Sequence, residues 1–507
     1  MRLERTKNAS RNIAWGTFNK LLTTVLSFLM RTIFIKVIGS EYLGLDSLFT
    51  STLSMLSLAE LGFGEAMVFS MYEPIACDDQ KSINALLNLY KKIYRMVGIV
   101  ILIVGIMVIP VLPHLINGVY PQDINLTVAY LLALANTVMS YFLFAYKGAL
   151  LSAYQRNDIR DNITTFMKIL CLIVQIILVY VFHNYYLYLI VAPITTCLSN
   201  IITAICTKKK FPDLQPVGDI SREKFEDIIK KVGALFGHKV GGKFLNSVDS
   251  IVISAMLGLN VLAKYTNYIT VFNSVVMFAY TCYSAIRAGI GNSLYLESKE
   301  RNYYNFRQLC FMNSWLLGWC SICLLCLYQS FIELWLGKEM MIETYSTIIL
   351  FVLYFYIQQY RQIVLTYKDA AGLWKEDMIK PYMESIINLG VNIILVSIVG
   401  LNGIILSTII AITVIAIPWE TTIVFKVIFQ KKSIEYYIDF LKNTLPVCVA
   451  ALPTWFLCGL IQGHTWLSLM FKAIVCVFMP NIILLLLYFR RKEFKETLQI
   501  IIRMIKK

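Results

Sequence analysis

The amino-acid sequence predicts an all-α integral membrane protein, and three observations support this prediction. Of the 507 residues, 58% are hydrophobic and only 15% are charged, whereas soluble domains carry about 25% charged residues. Apolar stretches of about 20 residues, the length at which a helix crosses a bilayer, recur along the whole chain. Lysine and arginine are concentrated in the segments that would lie on one side of the membrane. The net charge of +15 therefore reflects membrane orientation, and we expect no nucleic-acid partner.

The apolar stretches predict about fourteen transmembrane helices. The loops that this count places outside the membrane hold only two basic residues, Lys264 and Lys338. The asymmetry predicts that both termini are cytoplasmic. The predicted spans lie near 12–38, 47–71, 92–112, 125–147, 163–183, 186–206, 233–258, 265–288, 308–331, 344–367, 379–400, 403–425, 444–462 and 466–489.

An internal repeat appears when the chain is aligned with itself so that Gly39 falls on Gly258. IGSEYLGLDSLF (38–49) then falls on LGLNVLAKYTNY (257–268), and at nearly the same offset YKGALLSAYQRND (146–158) resembles YKDAAGLWKED (367–377). Each repeat holds about six spans, an even number, so both repeats enter the membrane in the same direction. We predict two six-helix bundles, arranged as parallel repeats around a central cavity, plus two extra C-terminal helices.

This repeat divides the chain into five predicted segments. They are an N-terminal six-helix lobe (1–206), a cytoplasmic linker with an amphipathic helix (207–232), a C-terminal six-helix lobe (233–430), an additional transmembrane pair (431–489) and a basic cytoplasmic tail (490–507). Apolar residues recur at helical spacing in SREKFEDIIKK, SIEYYIDFLKN and FKETLQIIIRMIKK. We interpret these three stretches as helices that lie on the inner membrane surface and contact anionic lipids. No loop is long enough for a soluble catalytic domain, so we expect no enzyme.

Charged residues inside the spans are the candidate functional residues. A charge at bilayer depth costs about 2.5–3.5 kcal/mol and usually faces a bundle interior or a wet cavity. Six cations stand against three carboxylates, Glu60, Glu65 and Asp249, and this excess indicates an anionic ligand, since lysine and arginine are the usual phosphate partners. Pairing within the protein is the alternative for each single residue. The predicted ligand-binding cations are Lys20, Arg31, Lys239, Lys243, Arg287 and Arg361.

Twelve cysteines are scattered through the apolar stretches. Three of them, Cys320, Cys323 and Cys326, lie in CSICLLC, a spacing that resembles a metal-binding motif. No second cysteine pair lies nearby in the sequence, so we interpret them as packing residues and predict no metal site. An acidic outer loop with Glu339 and Glu343 is interpreted as a solvated loop.

Residues 38–74, IGSEYLGLDSLFTSTLSMLSLAELGFGEAMVFSMYEP, together with the start RNIAWGTFNK, resemble the polysaccharide-transport flippases. These move O-antigen and capsule repeat units and belong to the multidrug/oligosaccharidyl-lipid/polysaccharide exporter (MOP) superfamily. The resemblance implies two lobes around a cavity with alternating access, in the cytoplasmic membrane of a bacterium. It also implies an undecaprenyl-diphosphate-linked oligosaccharide as cargo, and a polysaccharide polymerase and a chain-length regulator as partners.

The cationic residues would then hold the diphosphate of this lipid-linked oligosaccharide. A proton or a sodium ion at Glu60, Glu65 or Asp249 would bias the two states, and no other cofactor is expected. Two related functions stay open, a lipid II flippase and a multidrug exporter of the same superfamily. A multidrug exporter typically carries cations, so its cavity should be acidic. A membrane glycan polymerase or ligase would need a larger outer loop than this chain offers.

Overall fold

The computed structural model describes residues 5–505 except 61 and 119; the side chains of 1–14, 17, 59, 231, 234–246, 284–285, 288 and 500–507 are outside this description. Within the described ranges every regular element is a helix and no strand is present, which confirms the all-α prediction. The chain divides into two compact units, Met1–Ala263 and Lys264–Lys507. Each unit is described here by itself.

Unit 1 contains nine complete helices and two 3₁₀ segments, Ser57–Glu60 and Ile109–Leu115. The helix α10 (Leu259–Leu296) begins at its end and continues into unit 2. The nine helices are α1 (Arg5–Val37), α2 (Ser40–Leu56), α3 (Phe63–Ala76), α4 (Gln80–Val108), α5 (Leu126–Phe142), α6 (Ala145–Ala153), α7 (Asn157–Phe182), α8 (Tyr185–Lys210) and α9 (Arg222–Leu257).

In its described residues, unit 2 continues with nine further helices and a 3₁₀ segment, Lys338–Met340. Two π-helical turns, Ile412–Ala416 and Phe425–Phe429, lie in the middle and at the end of one continuous apolar segment, Leu401–Phe429. The nine helices are α11 (Lys299–Leu336), α12 (Tyr345–Tyr360), α13 (Gln362–Ala370), α14 (Lys380–Val399), α15 (Leu401–Ala411), α16 (Ile417–Val424), α17 (Ile434–Leu460), α18 (Trp466–Tyr488) and α19 (Lys492–Ile505).

Nine helical segments in the described part of the chain are long and apolar enough to cross a membrane, and a bent pair, α5 and α6, makes a tenth. Helix length and apolar composition therefore do not establish the predicted count of fourteen spans. The second predicted span, 47–71, is not one helix: α2 ends at Leu56, and α3 begins after Gly62, whose φ of +93° lies in the left-handed region. A backbone in this region cannot continue a right-handed helix.

The predicted repeat reappears in the local structure of the two halves. Gly39 and Gly258 fall on each other in the repeat, and each adopts a positive φ with extended ψ directly before a helix, α2 and α10 respectively. Further along, α5 and α12 end at corresponding positions. The break after α5 is a bend of 50°, with Phe144 at φ 56°, whereas α12 continues through Arg361 into α13 as one segment.

The boundary between the units lies at 263/264, not at the predicted linker. The residues of the predicted surface helix form the first turns of α9, which runs without interruption into the seventh predicted span. The end of α9 packs on α2 and on the 3₁₀ segment Ile109–Leu115. For example, Asn117 donates its backbone N–H to the Ser254 carbonyl at 2.9 Å. This packing places the seventh predicted span in unit 1.

The predicted additional pair and the tail belong to unit 2, because α17 and α18 both pack along α11. The tail forms α19, which contacts the beginning of α11. There, Arg307 pairs with Glu493 at 3.3 Å, and the rings of Trp315 and Phe494 stack at 5.7 Å. At the start of α17, the exposed apolar side chains include Ile434, which suits the predicted position at the membrane surface.

Candidate functional site

The first predicted cation, Lys20, lies on α1 where this helix packs against α7. The neighbouring Asn19 is buried and donates to Oδ1 of Asn162 on α7 at 2.8 Å, which fixes the register of the two helices. Lys20 itself is exposed, and it interacts electrostatically with a second exposed lysine, Lys168 of α7. Two like charges near each other repel, and an anion that binds between them offsets this repulsion.

Neither of these lysines forms an ion pair with a carboxylate in the part of the chain that the structure describes. We call Lys20 and Lys168 the cation pair. Two ammonium groups without an acidic partner among the described residues are available to a ligand that brings its own negative charges, such as the two phosphates of a diphosphate. Lys168 was not among the predicted residues, because only the packing of α1 on α7 shows that it lies near Lys20.

Arg31 lies three turns further along α1 and is partly buried. It interacts electrostatically with Asp46 of α2 and with Tyr188 of α8. Asp46 lies just before the predicted second span, 47–71, so it was not counted among the intramembrane acids. The charge of Arg31 is therefore matched by an acid within unit 1, unlike the charges of the cation pair.

The three predicted carboxylates have different surroundings. Glu60 accepts hydrogen bonds from the hydroxyls of Tyr94 and Tyr141, the second at 2.5 Å. Glu65 is exposed at the start of α3, and Asp249 is buried in α9. Two neutral donors therefore satisfy Glu60 without a cation.

Three further predicted cations lie on α9 and α10. Arg287 is exposed on α10. Lys239 and Lys243 lie on α9, but their side chains are outside the described residues, so the structure does not place them.

Arg361 lies in a buried network of charges in unit 2. Its guanidinium contacts Glu384 of α14 and Glu420 of α16, each at 3.4 Å. Glu420 is fully buried, and it also forms an ion pair with Lys380. This placement matches the charge of Arg361 within the protein and argues against its being free for a ligand.

The network extends to the loop that follows α13. Lys380 contacts Asp377 at 3.7 Å, and Asp377 also pairs with Lys368 of α13. Lys368 contacts Asp369 at 3.7 Å. The network therefore holds three cations and four carboxylates. Except for Asp369, all of these side chains are at most 12% exposed. Removing one partner from a buried network of this kind is strongly destabilising, because it leaves a buried charge without compensation.

The count of six cations and three carboxylates is incomplete for both signs. Asp46, Glu384 and Glu420 are acidic partners that the sequence count did not include, and Lys168 and Lys380 are cations that it also left out. A global count therefore does not decide the question, but an unmatched charge is present locally at Lys20 and Lys168. The position of each charge, and not the total, identifies the candidate site.

A family model described as polysaccharide biosynthesis protein matches residues 9–286, more than half of the chain. No curated protein matches this sequence. Among solved structures, the lipid II flippase MurJ in an inward closed conformation is 16% identical, with a TM-score of 0.71. The match covers 94% of this chain and 99% of that chain.

Two multidrug transporters are also similar. An inward-facing MATE family transporter of the MOP superfamily is 15% identical, with a TM-score of 0.56, over 84% of this chain and 95% of that one. A mutant of the MATE transporter VcmN from Vibrio cholerae is 12% identical, with a TM-score of 0.54, over 84% of this chain and 99% of that one. At these identities the likeness establishes the fold alone. The chain is thus a multi-pass membrane protein with the fold of MOP-superfamily transporters, and it belongs to the polysaccharide biosynthesis protein family.

Proposed function

We propose that this protein is a flippase that moves an undecaprenyl-diphosphate-linked oligosaccharide repeat unit from the cytoplasmic to the outer leaflet, for surface polysaccharide synthesis. The observation that carries the proposal is the cation pair, Lys20 and Lys168, on neighbouring helices of a chain from this family. The two ammonium groups would bind the diphosphate, while the lipid tail stays in the bilayer. Arg31, Arg287, Lys239 and Lys243 would contact the head group at other stages of alternating access.

The diphosphate is the part of the cargo whose transfer across the bilayer most requires the protein. It is multiply charged, and its transfer through hydrocarbon is very costly unless each charge is paired. Lysine binds phosphate as a point charge on a flexible stem. Two lysines on adjacent helices can therefore follow a moving head group without a fixed bidentate geometry.

Directional transport requires differential binding in the two states. We propose that Glu60, Glu65 or Asp249 takes up a proton or a sodium ion for this purpose.

The test replaces both members of the cation pair in the bacterium that makes this protein, with the native gene deleted. K20A/K168A should reduce surface polysaccharide at least about tenfold, because hydrogen bonds to charged groups contribute about 1.5–3 kcal/mol each. Lipid-linked repeat units should accumulate inside the cell. K36A removes another exposed lysine of α1 and should leave polysaccharide unchanged at equal expression.

Unchanged surface polysaccharide in K20A/K168A would reject the proposed role of the cation pair. Two further readouts separate the related functions. Cell-wall defects with normal surface polysaccharide would indicate lipid II as the cargo, and loss of dye efflux would indicate multidrug export. Both outcomes would contradict the proposed cargo.

A further inference from the structure

Three cysteines from three helices of unit 2 meet at one point. They are Cys326 of α11, Cys458 of α17 and Cys476 of α18, and their Sγ atoms all lie within 4.8 Å of one another. The Sγ atoms of Cys458 and Cys476 are 3.6 Å apart. Cys458 and Cys476 are buried, and Cys326 is half-buried. We call these residues the thiol triad.

The spacing of the three sulfurs suits a metal ion. A disulfide requires an S–S distance of about 2.05 Å, so the three thiols are free at these separations. An ion bonded to three sulfurs at about 2.3 Å in a plane holds them about 4 Å apart. The observed separations are of this size, so small side-chain rotations would close the site around an ion.

We propose that the thiol triad binds a thiophilic d¹⁰ cation, Cu(I) or Zn(II). Soft thiolate ligands favour these two ions over magnesium, calcium or manganese. Each thiol that ligates the ion releases its proton to solvent, so binding couples to pH. The proposal does not depend on the cargo of the transporter.

Neighbouring side chains support a charged site at this place. Lys472 lies one turn before Cys476 on α18 and interacts electrostatically with Cys458. Three thiolates around Zn(II) carry one net negative charge, which the Lys472 ammonium would balance. Cys323, one turn before Cys326 on α11, donates its thiol to the backbone carbonyl of Cys476 at 3.9 Å and is not a member of the triad. Three sulfurs satisfy Cu(I), whereas Zn(II) prefers a fourth ligand.

This site could not be predicted from the sequence because its ligands are far apart along the chain. No second cysteine pair lies beside CSICLLC in the sequence, and the partners come instead from α17 and α18, at positions 458 and 476. An ion at the triad would fasten the last two apolar helices to α11. Binding should therefore stabilise unit 2 against unfolding.

The experiment uses the full-length protein, purified in detergent with a non-thiol reductant and without air. The protein is titrated with Cu(I) from a chromogenic chelator and, separately, with Zn(II), and the retained metal is counted per chain. We expect one equivalent per chain and a higher unfolding temperature in the metal-bound protein. C326A, C458A and C476A should each lower the affinity at least tenfold.

C448A is the matched control, because Cys448 lies on α17 but is exposed and outside the triad. It should retain one equivalent. Wild-type protein that retains no metal would overturn the proposal, as would triad variants that bind as tightly as wild type. The wild-type titration decides the question even where a variant fails to fold.

Discussion

The two units treat the charges on their helices differently. In unit 1, the exposed Lys20 and Lys168 interact electrostatically with each other and form no ion pair with a carboxylate of the described chain. In unit 2, Arg361 and its neighbours are enclosed by carboxylates. Matched charges stabilise one packing arrangement of helices, while unmatched like charges leave binding energy for a ligand. The comparison indicates a structural role for the network in unit 2 and supports the proposed ligand-binding role of the cation pair.

The same contrast appears at corresponding positions of the internal repeat. Lys147 of α6 and Lys368 of α13 follow a tyrosine in both repeats, and both are buried. Lys147 donates to the backbone carbonyl of Leu214 at 3.3 Å, whereas Lys368 pairs with the buried Asp377. The repeat thus carries a lysine with a neutral partner in one half and a lysine with an acidic partner in the other.

The largest effect is expected from opening the charge network. E420A removes a fully buried carboxylate that contacts both Arg361 and Lys380. We expect a loss of about 3–5 kcal/mol in the free energy of unfolding, measured on purified protein in detergent. E339A removes an exposed carboxylate of the 3₁₀ segment Lys338–Met340 and should change the free energy of unfolding by less than about 0.5 kcal/mol. Equal stability of the two variants would show that the network is not structural.

The two repeat-related lysines allow a more direct comparison. K368A leaves Asp377 with less compensation, while K147A removes one bond to a backbone carbonyl. We expect K368A to lower the free energy of unfolding by about 2 kcal/mol more than K147A does. A larger loss of unfolding free energy in K147A than in K368A would contradict the comparison. It would show that the bond to the Leu214 carbonyl contributes more than the ion pair with Asp377.

The smallest effect is expected where neutral donors satisfy a carboxylate. Y141F removes one of the two hydroxyls that bind Glu60, and it should cost about 1.5 kcal/mol of unfolding free energy. Tyr130 provides the control, because its buried hydroxyl has no hydrogen-bond partner in the described chain. Y130F should therefore be neutral or slightly stabilising. A loss in Y130F as large as that in Y141F would indicate a packing effect and not the bond to Glu60.

Features that depend on local pattern were predicted from the sequence. The apolar stretches predicted the helical membrane fold, and the internal repeat correctly paired Gly39 with Gly258. Both glycines adopt the same backbone conformation because each separates the end of one helix from the start of the next. Such a pattern depends only on residues that are neighbours in the sequence.

The partners of the charged residues could not be predicted in the same way. Helical spacing tells which residues share a face of one helix, but it does not tell which helix packs against that face. The pairing of Arg361 with Glu420, for example, joins residues that lie in different predicted spans. Lys168, Glu384 and Glu420 lie inside predicted spans and were left out of the count of cations and carboxylates, but their pairing with Lys20 and Arg361 is visible only in the packing.

The most direct test of the central claim is binding of undecaprenyl diphosphate to the purified protein in nanodiscs. Its affinity is compared with those for undecaprenyl monophosphate and uncharged undecaprenol. The account predicts that wild-type protein and K36A prefer the diphosphate, and that K20A/K168A loses this preference at least tenfold while still binding the lipid tail. An unchanged preference for the diphosphate in K20A/K168A would contradict the assignment of these two lysines to the ligand.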